Sequence, residues 1–178
     1  MALKATIYKA ELEIVDMDRH VYETRKLTLA RHPSETDERL MIRLLVFALH
    51  ACEGLEFGGG VSDSGEPDLW LRHPGGETGL WIELGHPDAK VLSKALGRAR
   101  KVICYTYSAL PERWWNPIKS DFARTTNLEI RSISAVSAAA LADMASTNMK
   151  VQCQIQDGEI WFHDSEGGEV KVEIERLF

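Results

Sequence analysis

Glu66-Pro67-Asp68-Leu69-Trp70 and Trp81-Ile82-Glu83-Leu84-Gly85 are two short apolar segments that each carry one acid, joined through Pro74-Gly75-Gly76-Glu77-Thr78-Gly79. Side chains on a strand alternate faces, so Asp68 shares a face with Trp70 and Arg72, while Trp81, Glu83 and Gly85 share one on the second strand. The glycine-rich turn has the chemistry that makes such strands neighbours. The sequence therefore predicts that Asp68 and Glu83 converge. Two converging carboxylates are the minimal protein contribution to a Mg²⁺ site, because that ion takes hard oxygen ligands and leaves other positions for water and phosphate. The alternative is that both acids sit on a half-solvated sheet surface.

Working outward, Ser34 predicts the N-cap of a long helix, with Asp37 as its capping-box acid and Gly54 just past its end. Leu40, Met41, Leu44, Leu45, Phe47, Ala48, Ala51 and Cys52 fall on one broad arc at helical spacing. Arg39, Arg43, His50 and Glu53 lie opposite, on a face that reads as solvent-facing or as the border of a site. Downstream, Pro87 and Asp88 suit the start of a helix over 87–100, followed almost at once by a strand over 101–107. Strand, helix and strand this close predict a parallel crossover. Residues 111–125 read as an irregular or helical connector, 127–133 as a strand, and 134–146 as an alanine-rich helix capped by Ser134. The flanks are β. Residues 5–14 and 20–30 form a hairpin around Asp16-Met17-Asp18-Arg19, Gln156-Asp157-Gly158-Glu159 marks a second, and Gly167-Gly168 introduces a last strand to Ile174.

A length of 178 residues makes one domain over 1–178 the expectation, and 44% hydrophobic with 27% charged residues is ordinary globular composition. The net charge of -6 means that a polyanion would have to meet a local basic patch and not the average field. Lys90, Lys94, Arg98, Arg100 and Lys101 against Asp88 supply such a patch, suited to phosphate contacts, with a plain solvated surface as the alternative. The N-terminus lacks the apolar core of a signal peptide and no run is long enough to span a bilayer, so the expectation is a cytoplasmic protein without membrane contact. Cys52, Cys104 and Cys153 are far apart and odd in number, which predicts reduced, mostly buried thiols. Gly58-Gly59-Gly60 is a flexible loop without the Gly-Lys-Ser/Thr of a phosphate loop. Trp114-Trp115-Asn116-Pro117 reads as a buried anchor for its connector ahead of a base-stacking platform. Nothing in the sequence fixes the oligomeric state.

The order helix, three strands with acids on the second and third, helix and strand resembles the core of the PD-(D/E)XK nuclease superfamily, and more closely the bacterial YaeQ family. Glu53-Gly54-Leu55-Glu56-Phe57, Glu66-Pro67-Asp68-Leu69-Trp70, Trp81-Ile82-Glu83-Leu84-Gly85-His86-Pro87 and Lys94-Ala95 carry the closer likeness. The resemblance implies an α/β fold of restriction-endonuclease-like type, a mixed sheet flanked by helices and extended by the two β hairpins. It implies that Asp68 and Glu83 hold Mg²⁺ or Mn²⁺, with Glu53 and the Leu84 carbonyl as further ligands, and that metal-activated water attacks a phosphodiester. The superfamily also places a lysine two residues after the strand acid, where this chain has Gly85. Lys94, in the stripe Lys90, Lys94, Arg98, is expected to reach into that hole and orient the water. Lys90, Arg98, Arg100 and Lys101 would contact nucleic acid. The expected function is a Mg²⁺-dependent nuclease-like activity. The alternative is a catalytically lapsed nuclease fold serving as a nucleic-acid- or protein-binding regulatory module, which the loss of the lysine permits.

Overall fold

The computed structural model describes residues 4–63 and 65–178. In chain order the elements are β1 (Thr6–Asp16), β2 (Val21–Arg31), α1 (Asp37–His50), β3 (Leu55–Phe57), β4 (Leu69–Arg72), β5 (Thr78–Leu84), α2 (Ala89–Leu96), β6 (Ala99–Thr106) and α3 (Glu112–Trp115). They continue as β7 (Leu128–Ile133), α4 (Ala135–Ala142), β8 (Asn148–Gln156), β9 (Glu159–Asp164), β10 (Glu169–Val172) and β11 (Ile174–Arg176). This is a mixed α/β fold with two mixed sheets and flanking helices. The chain divides into two compact units, Met1–Ala51 with Val136–Glu173 and Cys52–Ala135 with Ile174–Phe178.

The first unit holds the five-stranded sheet β10-β9-β8-β1-β2. β1 and β2 pair antiparallel along their whole length, and β1 alternates strictly, burying Tyr8, Ala10, Leu12 and Ile14. β8 runs parallel to β1 and turns into β9 through Asp157 and Gly158, both at positive φ as a two-residue hairpin requires. The cap of α1 corrects the sequence expectation. Thr36, not Ser34, accepts the Arg39 N–H at 3.1 Å, because the Ser34 hydroxyl is taken by His32 Nδ1 at 2.7 Å. Arg43 also departs from a simple solvent face: it is 7% exposed, 2.7 Å from Glu35 Oε1, and donates to the Ala30 carbonyl at 3.0 Å. The expected last strand to Ile174 is broken after Val172. β10 pairs with β9, whereas β11 pairs with β7 of the other sheet, and the Glu173 N–H between them goes to Ser137 Oγ at 3.1 Å.

The second unit holds the six-stranded sheet β11-β7-β6-β5-β4-β3, in which β5, β6 and β7 are parallel and the other pairings antiparallel. The parallel step from β5 to β6 through α2 is as predicted, but α2 is shorter than 87–100. Gly97 caps it and the chain re-enters the sheet at Ala99. Leu92 and Ala95 of α2 join Trp81, Val102, Cys104 and Trp115 in one apolar cluster. Trp115 is 3% exposed and meets Phe122 and Phe178, which is the anchoring role expected of the connector. Among the described residues no helix is long and apolar enough to cross a membrane.

Candidate functional site

The register of β4 on β5 sets Leu69 opposite Ile82 and Trp70 opposite Trp81, so Asp68, just before β4, stands across from Glu83 on the same face. The Asp68 N–H extends the ladder by bonding the Ile82 carbonyl at 3.0 Å. Asp68 is 1% exposed, and its Oδ2 accepts the Leu84 N–H at 2.9 Å. The N–H and C=O of one strand residue face the same edge, so the Leu84 carbonyl faces the Asp68 side as well. Glu83 is half-buried, and its Oε1 accepts the Trp81 indole N–H at 2.8 Å. Cys104 lies opposite Glu83 on β6. Burial, then the charges of Glu83 and Asp68, push its thiol well above the ordinary range, so the sulfur beside the acids is a neutral thiol.

The three glycines of the 58–60 loop lie against the segment from Glu66 to Asp68. Gly58 N–H bonds the Asp68 carbonyl at 3.0 Å, Gly60 N–H bonds the Pro67 carbonyl at 3.1 Å, and Gly59 N–H bonds Glu66 Oε2 at 2.7 Å. Gly60 has φ +50, and a Cβ placed there would be 2.6 Å from Asp68 Oδ1. Only glycine brings the backbone this close to the carboxylate. The Gly-Gly-Gly run was the sequence signal, legible as a loop but not as a cover for Asp68.

At the far end of β5 the chain turns left-handed at Gly85, φ +91, whose N–H bonds the Tyr105 carbonyl at 2.8 Å. His86 then folds over the end of β6. Its Nε2 is 2.8 Å from Thr106 Oγ1 and 3.1 Å from Ser108 Oγ, and its ring stacks on Trp114 at 5.0 Å and 4°. Trp114 is tied in turn by its indole N–H to the Pro87 carbonyl at 3.0 Å. Burial draws the His86 pKa below its ordinary value, favouring the neutral ring.

The other predicted residues lie outside the β4–β5 pair. Lys90 and Lys94 are exposed, because α2 turns Leu92 and Ala95 inward. No Lys94 atom lies within 4 Å of where a Cβ on Gly85 would sit. Glu53 is exposed in the turn after α1, and no group of three His, Cys, Asp or Glu side chains among the described residues is gathered to hold a metal. The basic patch is also smaller than its sequence suggests. Arg100 pairs with Glu77, which its hydrogen bond holds below the carboxylate range, and Lys101 is 2.6 Å from Glu129 Oε1. Lys101 further faces away from Val102 and Cys104 by strand alternation. Arg98 reaches the Gly65 carbonyl at 3.4 Å. What remains, two carboxylates and a backbone carbonyl, is a hard-oxygen donor set that fits Mg²⁺ or Mn²⁺, since Mg²⁺ is bound by one or two carboxylates and keeps several waters.

The family described as YaeQ protein matches residues 1–174. The YaeQ protein of Salmonella typhi is 43% identical over 166 residues, covering 93% of this chain and 92% of that protein. The crystal structure of YaeQ from Xanthomonas axonopodis pv. citri superposes with a TM-score of 0.92 at 42% identity, over 97% of this chain and 98% of that one. YaeQ from Pseudomonas syringae gives a TM-score of 0.92 at 34% identity, over 98% and 96% of the two chains.

Proposed function

The chain belongs to the YaeQ family, and from that premise we propose that it is a Mg²⁺- or Mn²⁺-dependent hydrolase of phosphodiester bonds in nucleic acid, built on a PD-(D/E)XK, restriction-endonuclease-like core. The observation that supports this most directly is the placement of Asp68 and Glu83 across adjacent strands on one face. Asp68, Glu83 and the Leu84 carbonyl would hold the ion, which supplies Lewis-acid polarisation of a phosphoryl oxygen and a more acidic water when bound. The chain's own residues pre-set this arrangement. The Leu84 N–H fixes the Asp68 rotamer, the Trp81 indole fixes the Glu83 carboxylate, and the glycine loop shields Asp68 from solvent.

A screen of single- and double-stranded DNA and RNA with Mg²⁺ or Mn²⁺ tests the proposal beside Asp68→Ala and Glu83→Ala. Each single change should abolish cleavage without unfolding the chain, and the double change should add little, as for groups acting as one unit. Full activity in either single variant would remove the assignment. One observation favours binding without turnover instead: at φ +91, position 85 has a backbone that a lysine rarely adopts. A module of that kind would retain oligonucleotides or a protein partner equally well with and without Mn²⁺, and cleave nothing.

A further inference from the structure

The five-stranded sheet ends on one side in β2, which runs 11 residues without proline, glycine or a bulge. An edge of that length templates another strand unless it is shortened, bulged or interrupted. The direction of each backbone group along it follows from the ladder. The Lys9 N–H bonds the Thr147 carbonyl at 2.9 Å and the Met17 N–H bonds the Ile155 carbonyl at 2.8 Å, so odd-numbered residues along β1 direct N–H and C=O toward β8. Even-numbered ones face β2, where Ala10, Leu12 and Ile14 stand opposite Leu27, Arg25 and Glu23. The even-numbered residues of β2 therefore turn their backbone outward. Among the described residues, Tyr22, Thr24, Lys26 and Thr28 form no backbone–backbone bond beyond the β1–β2 ladder, while the Ala30 carbonyl accepts Arg43 Nη2 at 3.0 Å.

Charge selects what this edge accepts. An antiparallel partner related by a two-fold axis sets the axial residue against its own copy. An axis at Glu23, Arg25 or Lys26 would oppose like charges, one at Val21 or Tyr22 would pair no more than Val21–Glu23, and one from Leu27 onward would need the Ala30 carbonyl that Arg43 holds. Thr24 remains. About it, Glu23 meets Arg25 of the second copy, Val21 meets Leu27, Tyr22 meets Lys26 and Thr24 meets its own copy. Glu23 and Arg25 already share an ion pair at 3.0 Å on the half-buried face, so this register closes the charges of both copies into an alternating ring. We infer that β2 pairs antiparallel with β2 of a second copy of this chain about a two-fold axis at Thr24, joining two five-stranded sheets edge to edge. The outward N–H and C=O groups of Tyr22, Thr24 and Lys26 supply its hydrogen bonds. A strand pair is a small interface, so the dimer is concentration-dependent. It does not depend on the metal site proposed above.

The test is analytical ultracentrifugation of the full chain over a dilution series reaching about 1 mM. Wild type should pass from monomer to dimer along the series. Glu23→Arg and Arg25→Glu should each raise the dimer Kd roughly tenfold or more, because each opposes like charges at both ends of the pairing. Mixing the two single variants sets a doubly basic strand against a doubly acidic one, and should restore a dimer of about wild-type affinity that contains one copy of each. Thr24→Pro removes an outward N–H that β1 does not use, a position where an edge strand tolerates proline, and should give a folded monomer. The charge exchange decides the matter whether or not the proline variant folds. A wild type that stays monomeric throughout, wild-type dimerisation by either charge variant, a mixture that stays monomeric, or a folded Thr24→Pro that dimerises like wild type would each overturn the inference.

Discussion

Gly60 carries more of the site than its lack of a side chain suggests. A methyl group there would sit 2.6 Å from Asp68 Oδ1 on a backbone of φ +50, so Gly60→Ala meets both a clash and left-handed strain. Gly60→Ala should cost about 1–3 kcal/mol by urea denaturation, whereas Gly75→Ala, whose Cβ would meet nothing within 4 Å, should be near neutral. Similar costs for the two would mean that the loop does not rest on Asp68. Glu129 gives a second prediction, in pH. Burial alone would raise its pKa, but hydrogen bonds from Lys101 and Arg131 outweigh burial and hold it below the usual range. A depressed carboxylate contributes stability that is present above the unfolded pKa, about 4.3, and is lost as pH falls through the folded value. The melting advantage of wild type over Glu129→Gln should therefore be constant near neutrality and shrink from about pH 4.3 downward. An advantage that grows on acidification would show the opposite sign and refute the pairing. Strand alternation made the shared face of Asp68 and Glu83 legible in sequence. The closeness of Gly60 to Asp68 was not legible, because it depends on how the 58–60 loop folds back beside the strand, which no local pattern encodes.

Among the elements, α1 shows where local signals compete. Ser34, Thr36 and Asp37 all suit a helix start, and the choice falls to Thr36 because Ser34 bonds back to His32. Thr36→Ala should cost about 1 kcal/mol, and Ser34→Ala distinctly less; the reverse order in thermal melts would restore Ser34 as the cap. Arg43 was unreadable as a buried residue, since helical periodicity assigns charge to the outside and only the tertiary partner Glu35 reverses that. Arg43→Met or Glu35→Gln alone should cost about 3–5 kcal/mol by stranding the remaining polar group, and the combined change should cost less than their sum. Additive losses in that double-mutant cycle would mean the two do not interact. The Asp157-Gly158 hairpin was fully legible, because the dipeptide itself supplies the two positive φ angles, 52 and 76, that the turn needs.

Across the whole molecule, the sequence carried the strands and the pairings between neighbours in the chain, but not the distant pairings. Alternation identifies β1 and β8 separately, yet their parallel pairing joins distant parts of the chain, and the transfer of β11 to the second sheet follows a single intervening residue. Overall melting would nevertheless report on the proposed metal site, because a ligand that binds only the folded state stabilises the chain by mass action. On the proposed metal site, two carboxylates on one face would repel each other without metal, and a bound cation would reverse the sign of that interaction. Asn at 68 keeps the size of the side chain and an acceptor for the Leu84 N–H while removing one charge. Asp68→Asn should therefore melt higher than wild type in chelator. Wild type should gain roughly 2.7 kcal/mol at a hundred times the Mn²⁺ Kd, and Asp68→Asn should gain little, so that the order of the two melting temperatures inverts on adding Mn²⁺. Ordinary surface acids give no such inversion, and two proteins that melt alike with and without Mn²⁺ would leave Asp68 and Glu83 as structural acids and the binding-module role as the better account.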